Sequence, residues 1–113
     1  MIVFPVQTLS GVGASSILQP YGTNGIQFGQ NNGNNITSLG LICTVSAGAS
    51  LTYSVQVTAD QAPSAGGNWN DHDVLTALTA SKNSNILYGI SGIRLSVSIW
   101  SSGSVTLGTV QWP

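Results

Sequence analysis

The chain carries almost no charge. Only Asp60, Asp71, Asp73, Lys82 and Arg94 are charged among its 113 residues, and glutamate is absent. Charged residues therefore make up 4% of the chain, where a soluble domain usually carries roughly 25%. Such a sequence has no basic field with which to gather phosphates, which argues against general nucleic-acid binding. Its net charge of −1 leaves little repulsion between copies, a condition that favours self-association.

Other scarcities narrow the chemistry. Cys43 is the only cysteine, so the sequence offers no internal disulfide framework. Within LGLICTV it reads as a small buried hydrophobe. No apolar run is long enough for a membrane-spanning helix, so no membrane partner is expected. The segment MIVFPVQTLS lacks positive charge and is broken by Pro5, so it does not read as a secretory signal, and a cytoplasm is the expected place of synthesis.

With one histidine and three aspartates there is little to build a catalyst from. Hydrolysis by paired carboxylates needs two acids facing across a cleft. A nucleophile–His–acid set has only His72 to draw on, and no serine sits in a GxSxG turn. The expectation is a protein without catalytic residues or cofactor. Asp71-His72-Asp73 is the one titratable cluster, and imidazole with carboxylates can ligate zinc or manganese. Neighbours on a strand point to opposite faces, however, so the three cannot converge on one ion. Asn68, Asn70 and Asp73 follow a calcium-loop spacing only loosely. No metal site is expected, and the cluster reads as a loop in which Asp or Asn caps a turn.

What is present is uncharged polarity and alternation. Ser, Thr, Asn and Gln supply 42 residues and glycine another 14, yet 42% of the chain is hydrophobic. That content, spread through runs rich in Val, Ile, Leu and Thr, supports a core and argues against disorder. The whole of 1–113 reads as one β domain.

The firmest stretch is 90–112. Ile93, Leu95, Val97 and Ile99 fall on one side of an extended segment, and Arg94, Ser96, Ser98 and Trp100 on the other. A period of two belongs to a half-buried strand. Ser101-Ser102-Gly103-Ser104 then supplies a turn before a second run begins at Val105, which predicts a β-hairpin. A second hairpin is predicted from Leu39–Val45 and residues 51–58. In the latter, Leu51, Tyr53, Val55 and Val57 alternate with Thr52, Ser54, Gln56 and Thr58.

Elsewhere the signals are weaker. Ala14–Leu18 suggests a short strand, and another lies around Ile26 and Phe28 between Asn-Gly turns at 24–25 and 32–33. The NNGNN run reads as an exposed loop tip. Residues 60–70 form a loop, and 72–79 fit either a strand or one or two helical turns through Val74, Leu75 and Leu78. About eight short strands result, separated by turns at intervals of roughly 8–12 residues. That pattern predicts an all-β, antiparallel β-sandwich, jelly-roll-like, with a simpler immunoglobulin-like order left open.

Two regions are candidate interfaces. Residues 1–8 read as an extended arm in which Ile2, Val3, Phe4 and Val6 are apolar and Pro5 lacks an N–H. Such an arm suits either a neighbouring subunit or an edge of its own sheet. Trp69, in a Gly/Asn loop, suits an interface or the end of the core, and a sugar ring is the alternative. Arg94, the single arginine, is expected to meet an aspartate across the sheet or a carboxylate of a partner subunit.

Residues 51–112 also resemble a known group. Trp69, the run HDVLTALTAS, the IRL of 93–95 and the SGSVTL turn followed by Gln111 resemble small β proteins encoded among tailed-bacteriophage virion genes. The resemblance implies a podovirus-type capsid decoration or cement protein, a jelly-roll-like domain on the outer shell. Its implied partner is the major capsid protein, its implied place the virion assembled in a bacterial cytoplasm, and its implied action the stapling of neighbouring capsomers. A carbohydrate- or receptor-binding module of a tail or fibre, with Trp69, Asn70 and the NNGNN run against a glycan, is the alternative.

Overall fold

The computed structural model describes residues 2–19, 38–86 and 90–112. The predicted turns and short strand between 20 and 37, including the NNGNN run, lie outside the described residues. The described chain is all β. Its strands are β1 (Ile2–Val3), β2 (Gln7–Leu9), β3 (Gly13–Ala14), β4 (Ser38–Val45), β5 (Ser50–Thr58), β6 (Asn70–Asp71), β7 (Lys82–Ile86), β8 (Gly92–Ser102) and β9 (Val105–Trp112).

They form two antiparallel sheets. The first has the order β1–β9–β4–β7, with β2 also on β9, and the second the order β3–β8–β5–β6. Pro5 explains why β1 and β2 are separate. Val3 pairs with Val110 and Gln7 with Leu107, so three residues on the N-terminal strand oppose two on β9. A proline without an N–H sits in that bulge at a sheet edge, where it breaks no ladder bond. Counted as one broken strand, β1/β2 brings the total to eight.

The pairing has a simple logic. β1/β2 meets β9, β3 meets β8, β4 meets β7 and β5 meets β6, so the chain is one long hairpin with its tip in the β5–β6 loop. Rolling that hairpin lays β4 on β9 and β5 on β8, which closes the two sheets. This is the strand order of a jelly roll.

Neither predicted hairpin forms. β8 and β9 lie in different sheets, as do β4 and β5, so each short turn crosses the core as an arch. The periodicity that suggested hairpins is the same in both arrangements, since it reports only which side of a strand is buried. The inward rows Leu39, Leu41, Cys43 and Val105, Leu107 of the first sheet meet Leu51, Tyr53, Val55 and Ile93, Leu95, Val97 of the second.

The two arches are nested. Ser46 N–H donates to the Ser104 carbonyl at 2.9 Å, and Ser104 N–H donates to Ser46 Oγ at 3.0 Å. Gly103 has φ +85, and a Cβ there would lie 2.3 Å from Ala49 Cβ. Only glycine meets both demands.

Ile99 departs from the predicted row. The β5–β8 register slips twice, pairing Tyr53 with Val97 but Thr52 with Ile99 and Leu51 with Trp100. The extra residue reverses the alternation, as a bulge does. Ile99 therefore points outward at 64% exposure, and Trp100 turns toward the arch, donating from Nε1 to the Gly103 carbonyl at 2.9 Å.

Residues 72–79 are neither a regular strand nor a helix. They follow the free edge of β5 irregularly, with His72 N–H donating to Val55 O, Val55 N–H to Leu75 O, and Leu78 and Tyr53 exchanging backbone bonds. Ala77 takes a positive φ of 52, and Leu75 reaches the core as a fully buried side chain.

Cys43 is buried on β4, and burial pushes its thiol up to about 11. Because this value is raised, the native state favours the neutral thiol, and the stability it contributes is lost as pH climbs toward 11. At pH 8 iodoacetamide should leave Cys43 unmodified in the folded protein and alkylate it once the chain is unfolded, as mass spectrometry would show. Gly103→Ala should destabilise the domain by about 3 kcal/mol through the left-handed backbone and the clash with Ala49, measured as a lower urea midpoint.

Candidate functional site

The one cluster of interacting charged and aromatic side chains among the described residues lies on the outer face of the second sheet. Its foundation is register. Arg94 on β8 is opposite Gln56 on β5, and Gln56 is opposite Asp71 on β6. With Val57, Val55, Ile93 and Leu95 turned inward, these three side chains share the outer face.

They form a relay. Arg94 Nε donates to Gln56 Oε1 at 2.8 Å, and Gln56 Nε2 donates to Asp71 Oδ1 at 3.1 Å. Thr76 Oγ1 donates to the other Asp71 oxygen at 3.1 Å. The expected contact between Arg94 and an aspartate across the sheet is thus made through a neutral amide. Partial burial holds the Arg94 guanidinium below its ordinary value, and an arginine remains charged at any physiological pH.

The β5–β6 loop closes over the arginine. Arg94 Nη1 donates to the Ala65 carbonyl at 3.0 Å, and its Cζ lies 4.2 Å from the centroid of the Trp69 ring. That is cation–π distance. Trp69 is fixed in turn by Nε1 donating to Ser64 O at 2.8 Å. Asp60 buttresses the loop by accepting from Asn68 N–H at 2.8 Å and from Asn68 Nδ2 at 3.3 Å. These bonds hold the Asp60 carboxyl below its usual range. Gly67 packs close to Asp60 and Ser64, where a Cβ would meet Asp60 Oδ2 at 2.4 Å.

The six expected interface residues do not form one surface. Trp69 and Arg94 touch each other on the second sheet. The backbone of Ile2 pairs with Gln111, and Val3 and Val6 lie along the edge of the first sheet, 66% and 58% exposed. Phe4 is half-buried against the core, with its N–H donating to Thr109 O. Residues 2–9 are therefore an edge of their own sheet.

Asp71 and His72 point to opposite sides of the second sheet, Asp71 joining the relay and His72 turning inward at 2% exposure, while exposed Asp73 lies past the end of β6 with Oδ1 3.3 Å from His72 Nδ1. His72 Nδ1 accepts from the N–H groups of Val74 and Leu75, both at 3.1 Å, so Nε2 carries the proton and donates to Asn85 O at 2.9 Å. The histidine, not an Asp or Asn, caps this turn. Both ring nitrogens are therefore engaged by backbone groups. Among the described residues no group of three potential ligands is close enough to hold an ion.

Gln56 was not singled out by the sequence, although it sits between Ser54 and Thr58 on a predicted polar row. Its role depends on which strand lies on either side, and that is not local information. The cluster can orient and rigidify a loop, and it can present an indole edge and amides to a partner. Gln56→Leu should disconnect Arg94 from Asp71, lower stability by about 1–2 kcal/mol, and shift Trp69 emission toward that of the unfolded chain in an equilibrium fluorescence titration.

Comparison with protein-family models, curated proteins and solved structures finds no match for this chain.

Proposed function

We propose that the chain is a non-enzymatic docking domain, a bacteriophage capsid decoration or cement protein that binds the outer shell and staples neighbouring capsomers. The observation that carries this reading is the N-terminal edge. β1, β2 and β3 line the same side of the two sheets, and this edge leaves Val3, Val6 and Val12 exposed at 66%, 58% and 69%. Exposed sheet edges are normally blunted by charge or covered, and no charged residue lies between residues 2 and 19. An apolar, uncharged edge suits permanent contact with a larger surface.

Two further facts support the reading. The jelly-roll order is one on which viral capsid domains are built, although a fold alone does not assign a function. His72, the one imidazole, is consumed by backbone hydrogen bonds, which favours binding over catalysis. Mechanically, many modest contacts repeated over a lattice give avidity, and each clamped copy raises the cost of shell rupture.

The alternative, a tail or fibre module for glycan, would use Trp69 and Asn70. It ranks second because Arg94 already occupies one face of the indole.

Immunogold labelling of virions with an antibody to the folded domain tests the proposal. Gold distributed over heads is the expected result, persisting after a wash at high ionic strength and lost for a Val3→Asp, Val6→Asp double variant. Gold restricted to tails would transfer the weight to the glycan reading. Bare particles would overturn both.

A further inference from the structure

We infer that the outer face of the first sheet is a homophilic interface, on which a second copy of this chain packs face to face. The inference does not rest on the virion reading.

Register defines the face. Leu39, Leu41 and Cys43 point inward, so Gly40, Ile42 and Thr44 point outward, and on β9 the outward residues are Thr106, Gly108 and Val110. Asn83 and Asn85 continue it on β7, opposite Ile42 and Gly40. Val3 and Thr8 border it on the other side, opposite Val110 and Thr106. None of these side chains is charged. Asp71 and Arg94, by contrast, lie on the outer face of the other sheet.

The two glycines carry the argument. Gly40 and Gly108 lie within regular strands and have no positive φ. Among the described residues, a Cβ at Gly40 would meet only the Val110 carbonyl, and one at Gly108 only the Ile42 carbonyl, each at an ordinary 3.8 Å. Nothing among the described residues requires glycine at either place. Glycine within a strand weakens it and marks a site where another surface approaches closely.

The pattern is also self-complementary. Val110 lies beside Gly40, and Gly108 lies beside Ile42, which is 50% exposed. Projections and hollows therefore alternate as on a checkerboard. A two-fold axis in the plane of the face, perpendicular to the strands, seats Ile42 in the partner's Gly40 hollow and Val110 over the partner's Gly108. The same axis brings Asn83 against the partner's Asn85, and primary amides both donate and accept. A charged partner would lose solvation on this face without recovering an ion pair, whereas a copy brings no charge to desolvate.

The area sets the strength. β4, β9 and the broken β1/β2 run about 27 Å and the five-residue β7 about 17 Å, so at a spacing of ~4.8 Å they cover roughly 470 Å² per copy, below the roughly 800 Å² of a standard stable partner. A dissociation constant in the range of roughly 10–100 µM is expected, so the contact forms where copies are held at high local concentration.

Sedimentation velocity from about 5 µM to 1 mM reads this directly. The wild-type chain should pass from monomer to dimer within that range. Gly108→Val should raise the melting temperature, because a β-branched residue replaces glycine in a strand with room for it, and should weaken association at least about tenfold. Ile42→Thr should weaken association similarly. Ile99→Thr, on the opposite face, should leave it unchanged. A wild-type chain that stays monomeric throughout, a Gly108→Val chain that dimerises like wild type, or an Ile99→Thr chain that fails to dimerise would each overturn the inference.

Discussion

The structure depends on two short turns that refuse to be hairpins. Residues 46–49 and 103–104 lie against each other, tied by reciprocal bonds between Ser46 and Ser104, with the bare Cα of Gly103 pressed on Ala49. Each turn delivers its second strand to the opposite sheet. Because they nest, β4 is held beside β9 in one sheet at the same place where β5 is held beside β8 in the other. Among the described residues these are the longest ladders, and the inward rows they present make up most of the core. The contact is small in area and large in consequence.

From that constraint the periphery follows. Once β4/β9 and β5/β8 are set, each sheet has two open edges, and the remaining segments cover them: β1/β2 and β7 in the first sheet, β3 and the β6–Leu78 segment in the second. Each is short or irregular, and each is held by side chains as well as ladder bonds. Gln7 Nε2 donates to the Ser16 carbonyl and links β2 to the segment after β3. His72 joins the irregular β5 edge to β7 through Asn85. An imidazole does this well because one ring nitrogen can accept from backbone N–H groups while the other donates to a carbonyl.

Much of the class of fold was legible, and the connectivity was not. Alternation in 51–58 and 93–97 marked inward rows correctly because strand side chains obey a strict period of two. The same period is blind to whether neighbouring strands share a sheet, so arches were read as hairpins. It is also blind to a bulge, so Ile99 was placed in the core when the slip after Val97 turns it outward. At the candidate site, Trp69 and Arg94 were each legible as unusual residues in a chain with so few charges. Their contact was not, because it depends on the 24 intervening residues folding β6 and β8 onto the two sides of β5. Gln56 gave no local sign at all, being one amide in a polar row.

The distribution of polarity gives these parts a common sense. A chain with five charges can keep all of one sheet face neutral, and here Asp71 and Arg94 are absorbed in a relay on the opposite face while Asp60 braces the loop beside them. The relay then acts as internal structure, holding the β5–β6 loop, and the interactions that depend least on salt are left at the edge and on the neutral sheet. Those two surfaces meet at Val3, which belongs to the edge and borders the face, while Val6 and Val12 lie on the edge and the glycine checkerboard lies over the middle strands. A molecule built this way can lie with its edge on one surface and its face on a neighbour at the same time. Under the two proposals, contacts joined through one rigid jelly roll would add as linked sites do, with the second formed at the effective concentration set by the first.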